Sequence, residues 1–274
     1  MPCPLPPLRK TAPLDRRSVL ALLASLGAGC GGGGGGGSDS GSAAPMGSRQ
    51  LSQITSRHTQ TAYPIHVYLP PDSEGLRATL PVVYLLDGDA RFATMVDLVE
   101  SSRSRVIVAA VGNEALRARD YVPMNTCTAG GGGHVDFFNF IRQELIPHVE
   151  ATFGGHPGRR ILLGHSHGGS FVLYAAFNEA AGRHHFSAYL ASDASVACMR
   201  ENVYGWESAY AAAHTTLPVR LHLAYADNID IVALAGHIQG RRYSGLTLAA
   251  AAYGGGHVGM IPLAFAQALA FALA

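Results

Sequence analysis

Ile161-Leu-Leu-Gly-His-Ser-His-Gly-Gly-Ser170 decides how this chain is read. An apolar run enters Gly164-His165-Ser166-His167-Gly168 and leaves through Phe171–Phe177, a run with the composition of a buried helix. The order predicts strand, tight turn, helix. In that setting a G-x-S-x-G turn is so cramped that the residues flanking the serine must be nearly free of side chain. The serine Oγ is then lifted above the sheet edge. The N–H groups that open the following helix lie beneath it, where they can stabilise a developing anion. Ser166 is therefore a candidate nucleophile. The bland alternative is an ordinary glycine turn before a helix.

Working outward, strand-like runs alternate with helical ones. Ile65–Leu69, Pro81–Leu86, Val106–Val111, Ile161–Leu163, Phe186–Leu190, Val219–Leu223 and Leu246–Ala250 read as strands. Helical spacing covers 136–153, 169–180, 231–241 and 262–273, with Pro147 expected to kink or split the first of these. Near-continuous apolar strands between helices predict an α/β fold, a mostly parallel central sheet with helices on both faces. Ligands of such sheets bind beyond the carboxyl ends of the strands. Asp87, Gly112, Ser166, Ser192, Ala226 and Gly254 all follow such ends.

A nucleophilic serine needs a base. His257, isolated among glycines in Tyr253-Gly-Gly-Gly-His-Val-Gly-Met260, follows the last strand and can reach across the sheet edge. Otherwise it is a loop histidine bonded to backbone. The acid is expected between serine and histidine, after the penultimate strand, where Asp227 and Asp230 stand. Asp227 is preferred, and Asp230, the alternate acid, is also placed to cap the next helix; a Ser–His pair working without an acid, at a loss of rate, is the remaining alternative. The expected oxyanion donors are the N–H groups of His167 and of Asp89, in the Asp87-Gly88-Asp89 turn. His165 and His167 sit too close to the serine to turn back onto it and are not read as a metal pair. Asp87 and Asp89 lack the second acid that glycoside hydrolysis would need. No metal or cofactor site is indicated.

The N-terminus reads as an address. Arg9, Lys10, Arg16 and Arg17 precede the apolar run Val19–Leu26, which is too short to span a bilayer and meets Gly27-Ala-Gly-Cys30. Residues 1–29 are expected to be an export signal of twin-arginine or lipoprotein type, with Cys30 as the lipidated residue. The glycine run 31–37 and the Ser/Gly-rich stretch after it extend a tether over 30–50, leaving 51–274 as one catalytic domain. The alternative is cleavage near Ala43–Ala44 and a secreted enzyme. Either way the mature protein is exported, periplasmic or at the cell surface, and the lipid reading makes a membrane its partner.

A formal net charge of +1, with no basic run beyond the N-terminus, argues against nucleic acid as a partner. With Cys3 and Cys30 assigned to the signal, the other two of the 4 cysteines, Cys127 and Cys198, are free to pair in an oxidising compartment. The alternative is two free thiols. Neither has neighbours at zinc-ligand spacing.

Several segments together resemble the esterase family of α/β-hydrolases that includes ferric-siderophore (enterobactin, salmochelin) esterases, the esterase D type and mycolyltransferases. They are Val83-Tyr-Leu-Leu-Asp-Gly-Asp-Ala-Arg-Phe92, Arg119-Asp-Tyr-Val-Pro123, Phe138–Pro147, Gly164–Gly169 and Gly256-His-Val-Gly-Met260. The resemblance spans the whole folded part and implies the α/β-hydrolase fold and esterase chemistry on a small-molecule ester. Asp227 departs from the Gly-x-x-Glu arrangement of several members. The expected function is a serine hydrolase that cleaves a carboxylic ester through an acyl-enzyme. Acyl transfer by the same residues, or a silent surface-tethered binding module, are the other readings.

Overall fold

The computed structural model describes residues 46–124 and 126–274. The expected export signal, Cys30 and most of the tether lie outside these residues. Strand β1 (Ser48–Thr55) already contains residues 48–50, so the folded domain begins earlier than the expected boundary at 51. β1 is mostly polar and mostly exposed, which hides it from an apolar-run reading. It hydrogen-bonds antiparallel to β2 (Ala62–Leu69) and forms one edge of the sheet.

Eight strands make a single sheet in the order β1-β2-β4-β3-β5-β6-β7-β8. The remaining strands are β3 (Val82–Leu85), β4 (Ile107–Val111), β5 (Arg160–His165), β6 (Ala188–Ser192), β7 (Arg220–Tyr225) and β8 (Thr247–Ala252). β2 pairs antiparallel with β4, and from β4 to β8 every pairing is parallel. This is the expected α/β-hydrolase architecture.

Strand alternation divides the apolar residues between two layers. Val82, Tyr84, Ile107, Ala109, Leu162 and Tyr189 face one core, while Val83, Leu85, Val108, Ala110, Ile161 and Leu163 face the other. The second layer is closed by helix α1 (Gly88–Ser101), through Met95, Val96 and Val99, and by the last helix, Ile261–Leu273, through Ile261, Phe265 and Leu269. Gly88 lets α1 sit directly on β4. An added Cβ there would lie 2.8 Å from the Ala110 carbonyl carbon.

The first layer holds most of the remaining helices. α2 (Arg117–Tyr121) leads to α3 (His134–Phe140), a π-helical turn Ile141–Leu145 and α4 (Ile146–Phe153). Pro147 therefore stands directly after the π-helical turn, near the start of α4, so the expected split appears as a change of helical pitch in a continuous run. α5 (His167–Phe177), α6 (Arg200–Ala213) and α7 (Ile229–Arg241) complete the layer. Neither α1 nor α6 was expected from the sequence. Among the described residues no helix is long and apolar enough to cross a membrane.

Candidate active site

The carboxyl ends of β3, β5, β6 and β8 meet at one edge. Ser166 stands between β5 and α5 with φ 60° and ψ −121°, a conformation that side chains other than glycine's rarely adopt. Gly164 makes this bend sterically accessible, since a Cβ there would lie 2.4 Å from the Gly168 carbonyl oxygen. The Ser166 N–H donates to the Ser192 carbonyl at 2.9 Å, which locks the bend to the end of β6.

His257 lies in the short helix α8 (Gly256–Gly259), just beyond β8 and ahead of α9 (Ile261–Leu273). Its Nδ1 is 2.6 Å from Oδ2 of Asp193. The carboxylate that faces His257 is thus Asp193, where Asp227 was expected. Asp193 follows β6, not β7, and keeps the chain order serine, acid, histidine. Asp227 is exposed and makes no hydrogen bond or ion pair with a histidine among the described residues. Asp230 instead forms an ion pair with Arg200. It does not cap α7 either, whose N-cap residue is Asn228.

The β7 loop still contributes. The Ala226 N–H and the Asn228 side-chain amide donate to Oδ1 of Asp193 at 3.3 and 3.4 Å. Asp193 has a left-handed φ of 40° and is almost wholly buried. The sequence did carry a signal for it, an aspartate one residue past the expected strand-end residue Ser192.

The N–H groups expected to form an oxyanion hole belong to neighbouring strand ends. His167 opens α5 and Asp89 lies in the first turn of α1, and first-turn N–H groups have no acceptor within their own helix. Asp87 takes a left-handed φ of 54° to start α1. Its N–H is bonded by Asn113 Oδ1 and the Tyr121 hydroxyl at 3.3 and 3.1 Å. Its carboxylate is gripped by Arg117 through Nε and Nη2 at 3.2 and 3.1 Å. Burial pushes the Asp87 carboxyl up, with Arg117 opposing. The same guanidinium donates to the His165 carbonyl at 3.0 Å, which ties the β3 end to the β5 end. The Asp89 carboxylate accepts from the Glu114 N–H and stays exposed.

His165 packs against His257, ring centroids 4.5 Å apart, and bonds Ser192 Oγ through Nδ1 at 3.3 Å. Burial, with the neighbouring His257 and arginine charges adding to it, drops its pKa to about 3, so the ring is neutral. His167 is held down in the same direction by burial. The Ser166 hydroxyl rests 3.3 Å from Ser195 Oγ rather than on His257. A disulfide joins Cys127 to Cys198, whose Cα atoms are 5.3 Å apart. Among the described residues no cluster of side chains could hold a metal ion.

The sequence profile described as "Putative esterase" matches residues 56–216. The chain belongs to this esterase family. It is a carboxylic-ester hydrolase. It is 30% identical over 153 residues to the siderophore triacetylfusarinine C esterase of Aspergillus fumigatus, a match that covers half of each chain. It is 24% identical over 270 residues to the ferri-bacillibactin esterase BesA of Bacillus subtilis, covering 82% of this chain and 89% of that protein. The IroE-like serine hydrolase of Shewanella oneidensis shares its fold with a TM-score of 0.73 at 24% identity, covering 81% of this chain and 79% of the other.

Proposed function

We propose that Ser166, His257 and Asp193 form a catalytic triad that hydrolyses the ester bonds of a siderophore. The 2.6 Å contact between His257 Nδ1 and Asp193 Oδ2 carries this reading. With Nδ1–H donated to the carboxylate, the Nε2 lone pair is left to accept the Ser166 proton. Ser166 Oγ attacks the ester carbonyl, and the oxyanion is held by the N–H of His167 together with a first-turn N–H of α1. The imidazolium returns its proton to the departing alkoxide. Water, deprotonated by the same imidazole, then cleaves the acyl-enzyme and frees the acid and Ser166. Asp193 orients the ring and stabilises its charge without taking the proton.

The siderophore assignment draws on the substrates for which the Aspergillus and Bacillus relatives are named. The side chain of His257 is 51% exposed, so a bulky ester can reach the base without a cap having to open. The test compares hydrolysis of a ferric tri-ester siderophore with that of p-nitrophenyl acetate, alongside fluorophosphonate labelling. Siderophore turnover well above that of the small ester is expected, with both turnover and label lost in Ser166→Ala. Turnover of the small ester alone would refute the substrate. Absence of label would refute the triad. We further propose that Cys30 is lipidated and holds the enzyme outside the cytoplasm, which predicts palmitate incorporation that Cys30→Ala abolishes.

A further inference from the structure

The nucleophile has a second set of partners that the triad does not use. Ser195 Oγ lies 3.3 Å from Ser166 Oγ and 3.0 Å from His167 Nδ1. On the far side of that ring, His167 Nε2 lies 3.1 Å from Thr128 Oγ1. Four side chains thus form one line: Thr128, His167, Ser195, Ser166. Ser195 is fixed by its backbone as well, its N–H donating to the Ser166 carbonyl at 3.2 Å. The line is braced at both ends, because Cys127 beside Thr128 is disulfide-bonded to Cys198, three residues past Ser195.

The geometry points to Ser195 as a positioning residue that donates its hydroxyl proton to Ser166 Oγ, directed by the tautomer of His167. This rests on the triad reading of Ser166. A neutral imidazole carries one ring proton, and partial burial keeps His167 neutral. With that proton on Nδ1, His167 donates to Ser195 Oγ, and the Thr128 hydroxyl donates to Nε2. Ser195 then has its own proton free for Ser166 Oγ. Ser166 keeps its single proton for His257, and every hydroxyl donates toward the base. The opposite direction would spend the Ser166 proton on Ser195 and leave none for His257. The segment Ser192–Ser195 would thus serve both catalytic partners, sending Asp193 to the base and the Ser195 hydroxyl to the nucleophile.

The test is the second-order rate of fluorophosphonate labelling, with kcat and KM for p-nitrophenyl acetate. Ser195→Ala should slow labelling about tenfold, the size of one hydrogen bond to the nucleophile, and lower kcat with KM unchanged. Ser195→Thr, which keeps the hydroxyl, should restore most of the rate. His167→Phe should cost about as much as Ser195→Ala, and the double variant little more, because the two act as one chain. Thermal midpoints should stay near that of the parent, and Thr128→Val offers a milder break of the line should His167→Phe fail to fold. Labelling of Ser195→Ala at or above the parental rate, or additive losses in the double variant, would overturn the inference and leave the triad standing. A parent protein that takes no label would overturn both.

Discussion

Replacing Asp193 by asparagine changes one atom, and the surroundings of that atom set the size of the effect. Oδ1 accepts the Ala226 N–H and the Asn228 amide, while Oδ2 alone faces His257. An asparagine keeps its carbonyl oxygen where those two donors point, so its NH₂ must turn toward His257 Nδ1. That nitrogen then has to accept, and the ring proton moves to Nε2, the atom that should receive the Ser166 proton. A base in the wrong tautomer costs on the order of 10⁴ in kcat where the ring is enclosed. Here the ring is 51% exposed, so water can compete for Nδ1 and part of the population recovers. The expected loss in kcat/KM is therefore roughly 10³ to 10⁴, with little change in KM. Asp227→Asn, at an exposed side chain, should change kcat/KM less than about twofold. The assay is initial-rate hydrolysis of p-nitrophenyl acetate near neutral pH, with fluorophosphonate labelling as a check on Ser166 itself. If Asp193→Asn kept a tenth of the parental kcat/KM, or Asp227→Asn fell as far, the tautomer argument would fail.

The bend at Ser166 predicts that Ser166→Gly, while inactive, raises stability by about 1 kcal/mol in a denaturant titration, since relief of a strained φ outweighs the entropy of glycine; a loss of stability would contradict the strain. Burial drops the pKa of His222 to about 4, so the unfolded chain binds a proton that the folded state refuses as pH falls below about 6.5. Stability should decline from there toward pH 4 by up to about 1.4 kcal/mol per pH unit from this group, and His222→Phe should flatten the slope of Tm against pH. Removing the Cys127–Cys198 bridge, which spans 71 residues, should cost about 4 kcal/mol by the loop-entropy account, read from denaturant midpoints of the Cys127→Ser/Cys198→Ser variant.

Much of the architecture was legible because buried parallel strands must be apolar on both faces. Val82–Leu85 and Ile107–Val111 advertise themselves in that way, and the glycine turn at Ser166 follows from sterics that are local in sequence. β1 was not legible. An edge strand with one face in water carries polar residues, and Ser48–Thr55 is held by its pairing with β2 rather than by an apolar run. The helix Arg200–Ala213 hid for a related reason: Val203, Glu207 and Tyr210 are its buried positions, and Glu207 is a charge. That carboxylate is satisfied only by residues from a distant segment, Arg241, Tyr243 and His237. No window of sequence around Glu207 contains those partners.

The position of the acid shows why strand order alone could not supply it. A histidine after β8 can meet a carboxylate from either strand end lying between it and the nucleophile. What decides is which carboxylate turns inward with its spare lone pairs satisfied. Asp193 turns inward because a left-handed φ at the first residue past β6 reverses the chain, and two donors from the β7 loop occupy its second oxygen. With those donors already committed to Asp193, the β7 loop cannot also present Asp227 to the same imidazole. Both loops are used, one for the charge and the other to hold it. A variant in which Asn228 becomes leucine should therefore weaken catalysis without touching a catalytic atom. The loss should be a few-fold in kcat, from the amide's long hydrogen bonds to Asp193 Oδ1 at 3.4 Å and to the Ala194 carbonyl at 3.3 Å, and KM should hold. Asn228→Asp, which sets a second charge against Asp193, should lose more than Asn228→Leu. The reverse ranking would mean that Asn228 acts through packing, and that the carboxylate is aimed by its backbone alone.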